Sequence, residues 1–240
     1  MHRLVKLISC FLLTIDFATT MACTEDHEYG EGVVITTEGE AYRDADVVYM
    51  TFYVLQQGAL VSEVAKTAQA KALELVKSLE KVSKKIKSIE VTDERIGEKQ
   101  KSYGDTQNLS IPEVVMRVRV TTTPDDKNIV DIVEIANKGG ALMQSPSEGY
   151  LQQNNLGVIV YGLLNDEAAE NEAVELVVKK TRPQAEKIAK AAGLALGSIN
   201  HLHQNKFSGL WTKSNFPAKY LSSSKKVKVA VPITIAYSVK

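Results

Sequence analysis

Two hydrophobic periods take turns along this chain. Val33 and Ile35 alternate with polar neighbours, and Val48, Met50, Phe52 and Val54 hold the same period of two, the mark of strands with one buried face. Between them "EGEAYRDAD" carries glycine and acidic turn formers, which predicts a hairpin or an offset strand pair. From Leu60 to about Ile86 the spacing becomes three and four. Val61, Val64, Ala68, Ala72, Val76 and Leu79 then line one face of a long amphipathic helix. Lys66, Lys71, Lys77, Glu80 and Lys84 fall mostly off that face, and Ser62 is placed to cap the start.

Ile89 and Val91 mark a further strand, followed by a loop-like "YGDTQNLSIP". The clearest alternation is "EVVMRVRVTTTP", with Val114, Met116, Val118 and Val120 on one face and Arg117 and Arg119 on the other, as in an antiparallel strand with a solvated side. Pro124 and Asp125 open a helix whose apolar face is Ile129, Ile132, Val133 and Ala136, and Gly139 and Gly140 end it. "LGVIVYGLL" is a strand that leads into a helix capped by Asn165 or Asp166, packing through Ala169, Ala173, Leu176 and Val177, then Ala185, Ile188, Ala189 and Ala192. Pro183 interrupts it. An interior proline removes a hydrogen bond and clashes with the preceding turn, at about 3 kcal/mol, which predicts a kink or break near Thr181. Gly193 ends the helix, Gly197 precedes the extended "SINHLHQ", and residues 204–226 are loop-rich. In the closing "KVKVAVPITIAYSVK", Val227, Val229, Val231, Ile233 and Ile235 share one parity, and Pro232 predicts an edge position or a bulge.

Strands and helices in this order, without regular βαβ alternation or a glycine-rich phosphate loop, predict an α+β fold with antiparallel sheets, a long amphipathic helix and further packed helices. A chain of 240 residues fits one large or two small domains and can bury a substantial core. Two lobes are expected. One holds the opening hairpin, the long helix and strand 114–120; the other holds the second helix and strand 157–164, with elements shared between them.

Charge alters this picture little. The 29 basic side chains are matched by 29 acidic ones, so nothing predicts nucleic acid as a partner. The run Lys81, Lys84, Lys85 and Lys87 reads as the wet face of a helix, because no aromatic side chains interleave with it as stacking platforms. A net charge of zero also leaves self-association weakly opposed.

The first residues carry their own signal. Arg3 and Lys6 precede the apolar stretch "LISCFLLTIDFATTMA", and Ala22 stands immediately before Cys23. Residues 1–22 are therefore expected to be a secretory signal peptide, too short for a membrane span and blunted by Asp16. The alternative is a buried N-terminal helix in a cytosolic protein. Residues 23–31 form a short polar tether. A chain beginning at Cys23 raises lipidation of that cysteine, although "TMAC" lacks the leucine that such signals carry three places earlier. Membrane contact is expected only in that case. Cys10 and Cys23 are the only cysteines, so no disulfide or thiol chemistry can be built downstream.

Candidate chemistry is sparse. His201 and His203 in "HLH" share one face of an extended segment, but two histidines fall short of the three or four protein ligands that zinc takes, so they are weak metal candidates. Ser198 near His201 lacks a nucleophile-elbow context, as does Ser208. Asp44 and Asp46 alternate to one face as paired acids, a pattern a hairpin turn explains. No cofactor is implied. Phe207, Trp211 and Tyr220 gather aromatic side chains in an aromatic-poor chain, which makes them candidates for a ligand pocket or an interface.

Three stretches together resemble the SIMPL-domain family, which includes bacterial periplasmic immunogenic proteins. "ITTEGEAYRDADVVYMTFYV" looks like the family's opening, where a glycine-punctuated strand leads through a Pro-Asp step into a second strand. "PQAEKIAKAAGLALGSI" is similar to its alanine-rich helix with a paired-glycine exit, with Ala185, Ala189, Gly193 and Gly197 in matching places. "VKVAVPITIAYSV" is similar to its last strand. The likeness covers about residues 32–240. Ala45 stands where the family carries proline, and Pro183 falls where an uninterrupted helix is expected. The resemblance implies a periplasmic or secreted α+β protein, with some members assembling into rings and some linked to oxidative-stress tolerance. It brings no established catalytic set. Relatives with eukaryotic signalling roles also exist, and the export signal argues against that compartment.

The expectation that follows is a non-enzymatic, exported homo-oligomer acting as a scaffold or in envelope stress. The alternatives are a small-ligand-binding module of the envelope or, less favoured, a hydrolase.

Overall fold

The computed structural model describes residues 32–82, 85–103, 107–144, 159–204 and 216–240. Two antiparallel sheets organise them. Strands β1 (Gly32–Asp44), β8 (Lys226–Val239) and β6 (Leu196–Gln204) form a three-stranded sheet in that order. Strands β3 (Ile86–Tyr103), β4 (Gln107–Thr122), β2 (Val47–Gln57), β5 (Ile159–Leu163) and β7 (Tyr220–Ser222) form a five-stranded one. Helices α1 (Val61–Val82) and α2 (Asp126–Lys138) pack on the larger sheet, and α3 (Glu167–Ala191) packs on the smaller. The α+β class with antiparallel sheets is as expected from the patterning.

The opening hairpin is not. β1 runs straight through "EGEAYRD" and pairs with β8, Glu38 opposite Pro232, while β2 pairs with β4 and β5 in the other sheet. The chain changes sheets at Ala45 and Asp46. The Ala45 N–H donates to the Lys225 carbonyl at 2.8 Å, a bond that a proline there would lack. Asp46 accepts the backbone N–H groups of Leu164 and Asn165 at 2.9 and 3.2 Å. The acids of this step therefore work apart: Asp44 pairs with Lys226, and Asp46 ties the crossover to the chain entering α3. Gly39 makes no turn. It lies in mid-strand beneath α3, where an added Cβ would come 2.3 Å from the Ala173 carbonyl oxygen.

Alternation sorted β4 into its two faces, but the face expected to be solvated is covered as well, with Val115 and Arg119 buried. Val118, opposite Phe52 on β2 and Val91 on β3, is fully buried beneath the helices. The "YGDTQNLSIP" stretch is less loop than expected, since β4 already runs from Gln107. Ser62 sits inside the first turn of α1, where the Leu60 carbonyl accepts the Val64 N–H. At α2, Asp125 caps as expected, accepting the Asn128 N–H at 2.9 Å, and Gly140 adopts a φ of 73° at the exit, a conformation glycine reaches without a Cβ clash.

α3 passes Pro183 without a break. Its buried positions Ala169, Ala173, Val177, Thr181, Ala185 and Ala189 continue on both sides of the proline, so burial against the sheet outweighs one lost backbone bond. Pro183 itself faces solvent, and the Thr181 hydroxyl meets the Tyr237 hydroxyl at 2.8 Å in the interior. Asp166 stands at the N-cap position, but its side chain makes no cap bond. Leu176 and Ile188, expected in the packed face, are 42% and 51% exposed. β8 also departs from expectation, being the central strand. Described pairing with β6 ends at Ile233, so at Pro232 the described flank is β1 alone.

The two cores interleave along the chain. α2 joins α1 over the larger sheet, and β5 pairs with β2, so both lie in the unit that chain order had assigned to the first lobe.

Candidate functional site

Of the residues singled out from the sequence, His201, His203 and Tyr220 are among those described, and they lie on strands of different sheets. His201 and His203 lie on β6, facing outward with Ala236 and Thr234 opposite them on β8; their rings stack with centroids 6.1 Å apart. Among the described residues, no group of three or more His, Cys, Asp or Glu side chains gathers to hold a metal. Tyr220 on β7 is buried, and its hydroxyl donates to Glu170 of α3 at 2.6 Å. Lys219 bonds the same carboxylate. Burial pushes the Tyr220 hydroxyl far above its ordinary value, and the bond to Glu170 adds to it. For Glu170, burial acts upward, but the bonds from Lys219 and Tyr220 outweigh it and leave the carboxyl below its usual range. Phe207, Trp211 and Cys23 lie outside the described residues.

A different grouping appears on the face of the larger sheet turned away from α1 and α2. Val47, Tyr49, Val160 and Ala218 form a small third core there, with Phe216 and Leu221 against it. The Phe216 ring lies 4.9 Å from that of Tyr49 and 4.7 Å from the Arg119 guanidinium. Arg119, expected on a solvated ladder, is only 9% exposed. Burial and then the neighbouring Arg117 draw its pKa down, while Glu90, opposite it on β3 at 3.7 Å, opposes the shift. Arg117 donates to the Thr92 hydroxyl at 3.2 Å. Alternation identified this face but not its cover, because Phe216 arrives from a distant part of the chain.

Two further features hold polar groups in place. Midway along β4, opposite the end of β2, Glu113 is almost fully buried and accepts from Gln57 at 2.6 Å and from Arg95. Removing either donor would strand charge in a place that water barely reaches. Between α1 and α2 lies a groove of about 400 Å³, with Leu75 and Ile135 in its lining and Lys71, Lys138, Glu74 and Ser78 around them. That volume suits a small ligand.

None of these groupings joins a nucleophile to a base and an orienting partner, the geometry that covalent catalysis uses. Among the described residues no helix is long and apolar enough to cross a membrane. No curated protein matches the chain. The family model called SIMPL, described as a protein of unknown function (DUF541), matches residues 33–239. That span takes in the two sheets and three helices of the described residues, and the chain belongs to the SIMPL family.

Proposed function

We propose that this protein is an exported scaffold of the cell envelope that works by self-association and supports the envelope under stress. The observation that carries the reading is the extent of one-sided strand edge. Among the described residues, β1 and β3 each pair on one side only, over 13 and 18 residues. Unpaired strand edges present rows of backbone donors and acceptors that a further strand satisfies. Zero net charge leaves such association without a strong electrostatic barrier.

The N-terminal layout of Arg3, Lys6, the apolar stretch and Ala22–Cys23 supports export. Native mass spectrometry of protein from the natural host tests both parts. A chain starting near Cys23 in defined higher oligomers is the expected result. A lipid-sized increment on Cys23 makes the scaffold membrane-anchored. An uncleaved monomer would overturn the reading. For the stress role, deletion of the gene is expected to sensitise cells to peroxide.

The groove between α1 and α2 supports a second reading, a small-ligand-binding module. Its apolar floor with lysines at the rim suits an amphipathic carboxylic acid. Octanoate raising the melting temperature of the wild type, but not of Lys71→Glu, is the outcome that would favour it.

A further inference from the structure

The smaller sheet ends at β1, and the flank of α3 beside that edge has an uncommon order. Glu172, Leu176, Lys180, Gln184 and Ile188 each stand one residue before a buried position of α3, so they form one stripe along the helix. One ion pair and the electrostatics of Glu40 place this stripe beside β1, and Ala173 and Val177 next to it lie against Gly39. Glu172 pairs with Arg43. The bonded Lys228 ammonium holds the Glu40 carboxyl below its usual range, and Lys180 adds to that from the helix. Leu176 and Ile188 are half-exposed here, and Val34 and Tyr42 are exposed on the outer face of β1. The edge is therefore bordered by apolar side chains on both sides.

The stripe is self-complementary. Rotation by a two-fold axis through Leu176 lays one α3 antiparallel to another, sets Leu176 against its own copy, and brings Glu172 opposite Lys180 twice. The dimensions agree. Strand edges pair at about 4.8 Å, and α3 packs on both β1 and β8; an axis midway between the two strands would lie about half a strand spacing in from the edge. Two such helices would then stand about 10 Å apart, the upper end of normal helix packing. A two-fold interface uses the same patch on both copies, which is the condition this order of acid, leucine and base meets.

We propose that the β1 edge and the Glu172–Leu176–Lys180 flank of α3 form a two-fold interface between copies of this chain. This rests on the self-association reading and names its contact surface. Charge complementarity commits the site to a second copy rather than to an unrelated extended peptide, because the acid and the base are spaced symmetrically about the leucine. The α3 contacts already present are compatible with it: exposed ion pairs on helices are worth only a few tenths of a kcal/mol, so they yield readily to new partners.

Reciprocal charge reversal tests this, read by analytical ultracentrifugation of the full chain. Glu172→Lys alone and Lys180→Glu alone each set like charges together twice across the axis, and each is expected to weaken self-association about tenfold or more. An equimolar mixture of the two variants sets opposite charges together twice, as does the double variant, and both are expected to recover wild-type association. Leu176→Glu, which places like charges on the axis, is expected to dissociate the pair without recovery on mixing. All three positions are at the surface, and circular dichroism melts close to wild type confirm that the variants fold. A wild type that sediments as a monomer at every concentration would overturn the self-association reading along with this interface. An assembled wild type whose variants associate equally well would overturn the interface alone and pass the assembly to the β3 edge.

Discussion

Under α1 and α2 the larger sheet presents Met50, Phe52, Val54, Met116 and Val118, and the helices meet it with Leu75, Leu79 and Ile132. Under α3 the smaller sheet presents Val227, Val229, Val231, Ile233 and Ile235, and the helix meets it with Ala169, Ala173, Ala185 and Ala189. In the first unit large side chains meet on both surfaces, alongside Ala68, Ala72 and Ala136. In the second, an alanine face lets the helix settle onto β-branched strands until its backbone meets Gly39. The two units should fail differently. The first is vulnerable to lost volume or an introduced charge, the second to any added atom at the contact.

The largest expected effect is in the first unit. Val118→Asp puts a carboxylate among Phe52, Val91 and the α1 face, and should cost upwards of about 4 kcal/mol in urea melts. Its neighbour Arg117→Ala, half-buried on the other face, should cost about 1 kcal/mol or less. Equal, small losses for the two would mean that the faces of β4 are misread.

Gly39→Ala probes the second unit with a single methyl group. Its Cβ would meet the Ala173 carbonyl oxygen and the Val177 side chain inside van der Waals distance, so the helix must shift, at about 2–3 kcal/mol. Gly97→Ala on β3, where the new atom meets only the Arg95 side chain at ordinary distance, is the control and should be nearly neutral. Indistinguishable melts for these two variants would remove the close approach of α3 from the comparison.

Pro183→Ala should stabilise by about 1–2 kcal/mol. It restores an N–H to a helix that is already continuous, and the gain is partly offset by a more flexible unfolded chain. A loss of stability instead would show that the proline ring supports the packing of α3.

The smallest effect is a matter of pH. Glu170 joins α3 to β7 through Tyr220 and Lys219, and its carboxyl is held below the ordinary range by those bonds. A depressed folded pKa means that its stabilisation is present above the unfolded value and disappears as pH falls through the folded one. Glu170→Gln should therefore cost about 1 kcal/mol near neutrality, with the gap to wild type closing below about pH 4. A gap that is constant across that range would assign the effect to packing rather than charge.

Much of this fold was legible because its signals are local. The alternation of β4 and β8 and the spacing of α1 and α2 follow from which side chains share a face, and that depends on residues two to four places apart. The same locality made the Asp125 cap and the glycine exit of α2 readable. For the surface chemistry, local pattern found the paired arginines of β4 and the paired histidines of β6, since both are period-two features.

What the tertiary structure alone decided involves partners far apart in the chain. A period of two states which face of β1 is buried but not which strand lies beside it, and the answer, β8, comes from the opposite end of the sequence. Gly39 reads locally as a turn former; only the approach of α3 makes it a contact point. Pro183 reads locally as a break, yet burial along six positions of the helix outweighs one missing hydrogen bond. Arg119 reads as solvated until Phe216 is laid over it. In each case the sequence by itself settled the preference of a residue or a face, because that preference is a short-range property. The tertiary structure settled its environment, because burial against a distant segment carries more free energy than the local preference it overrides.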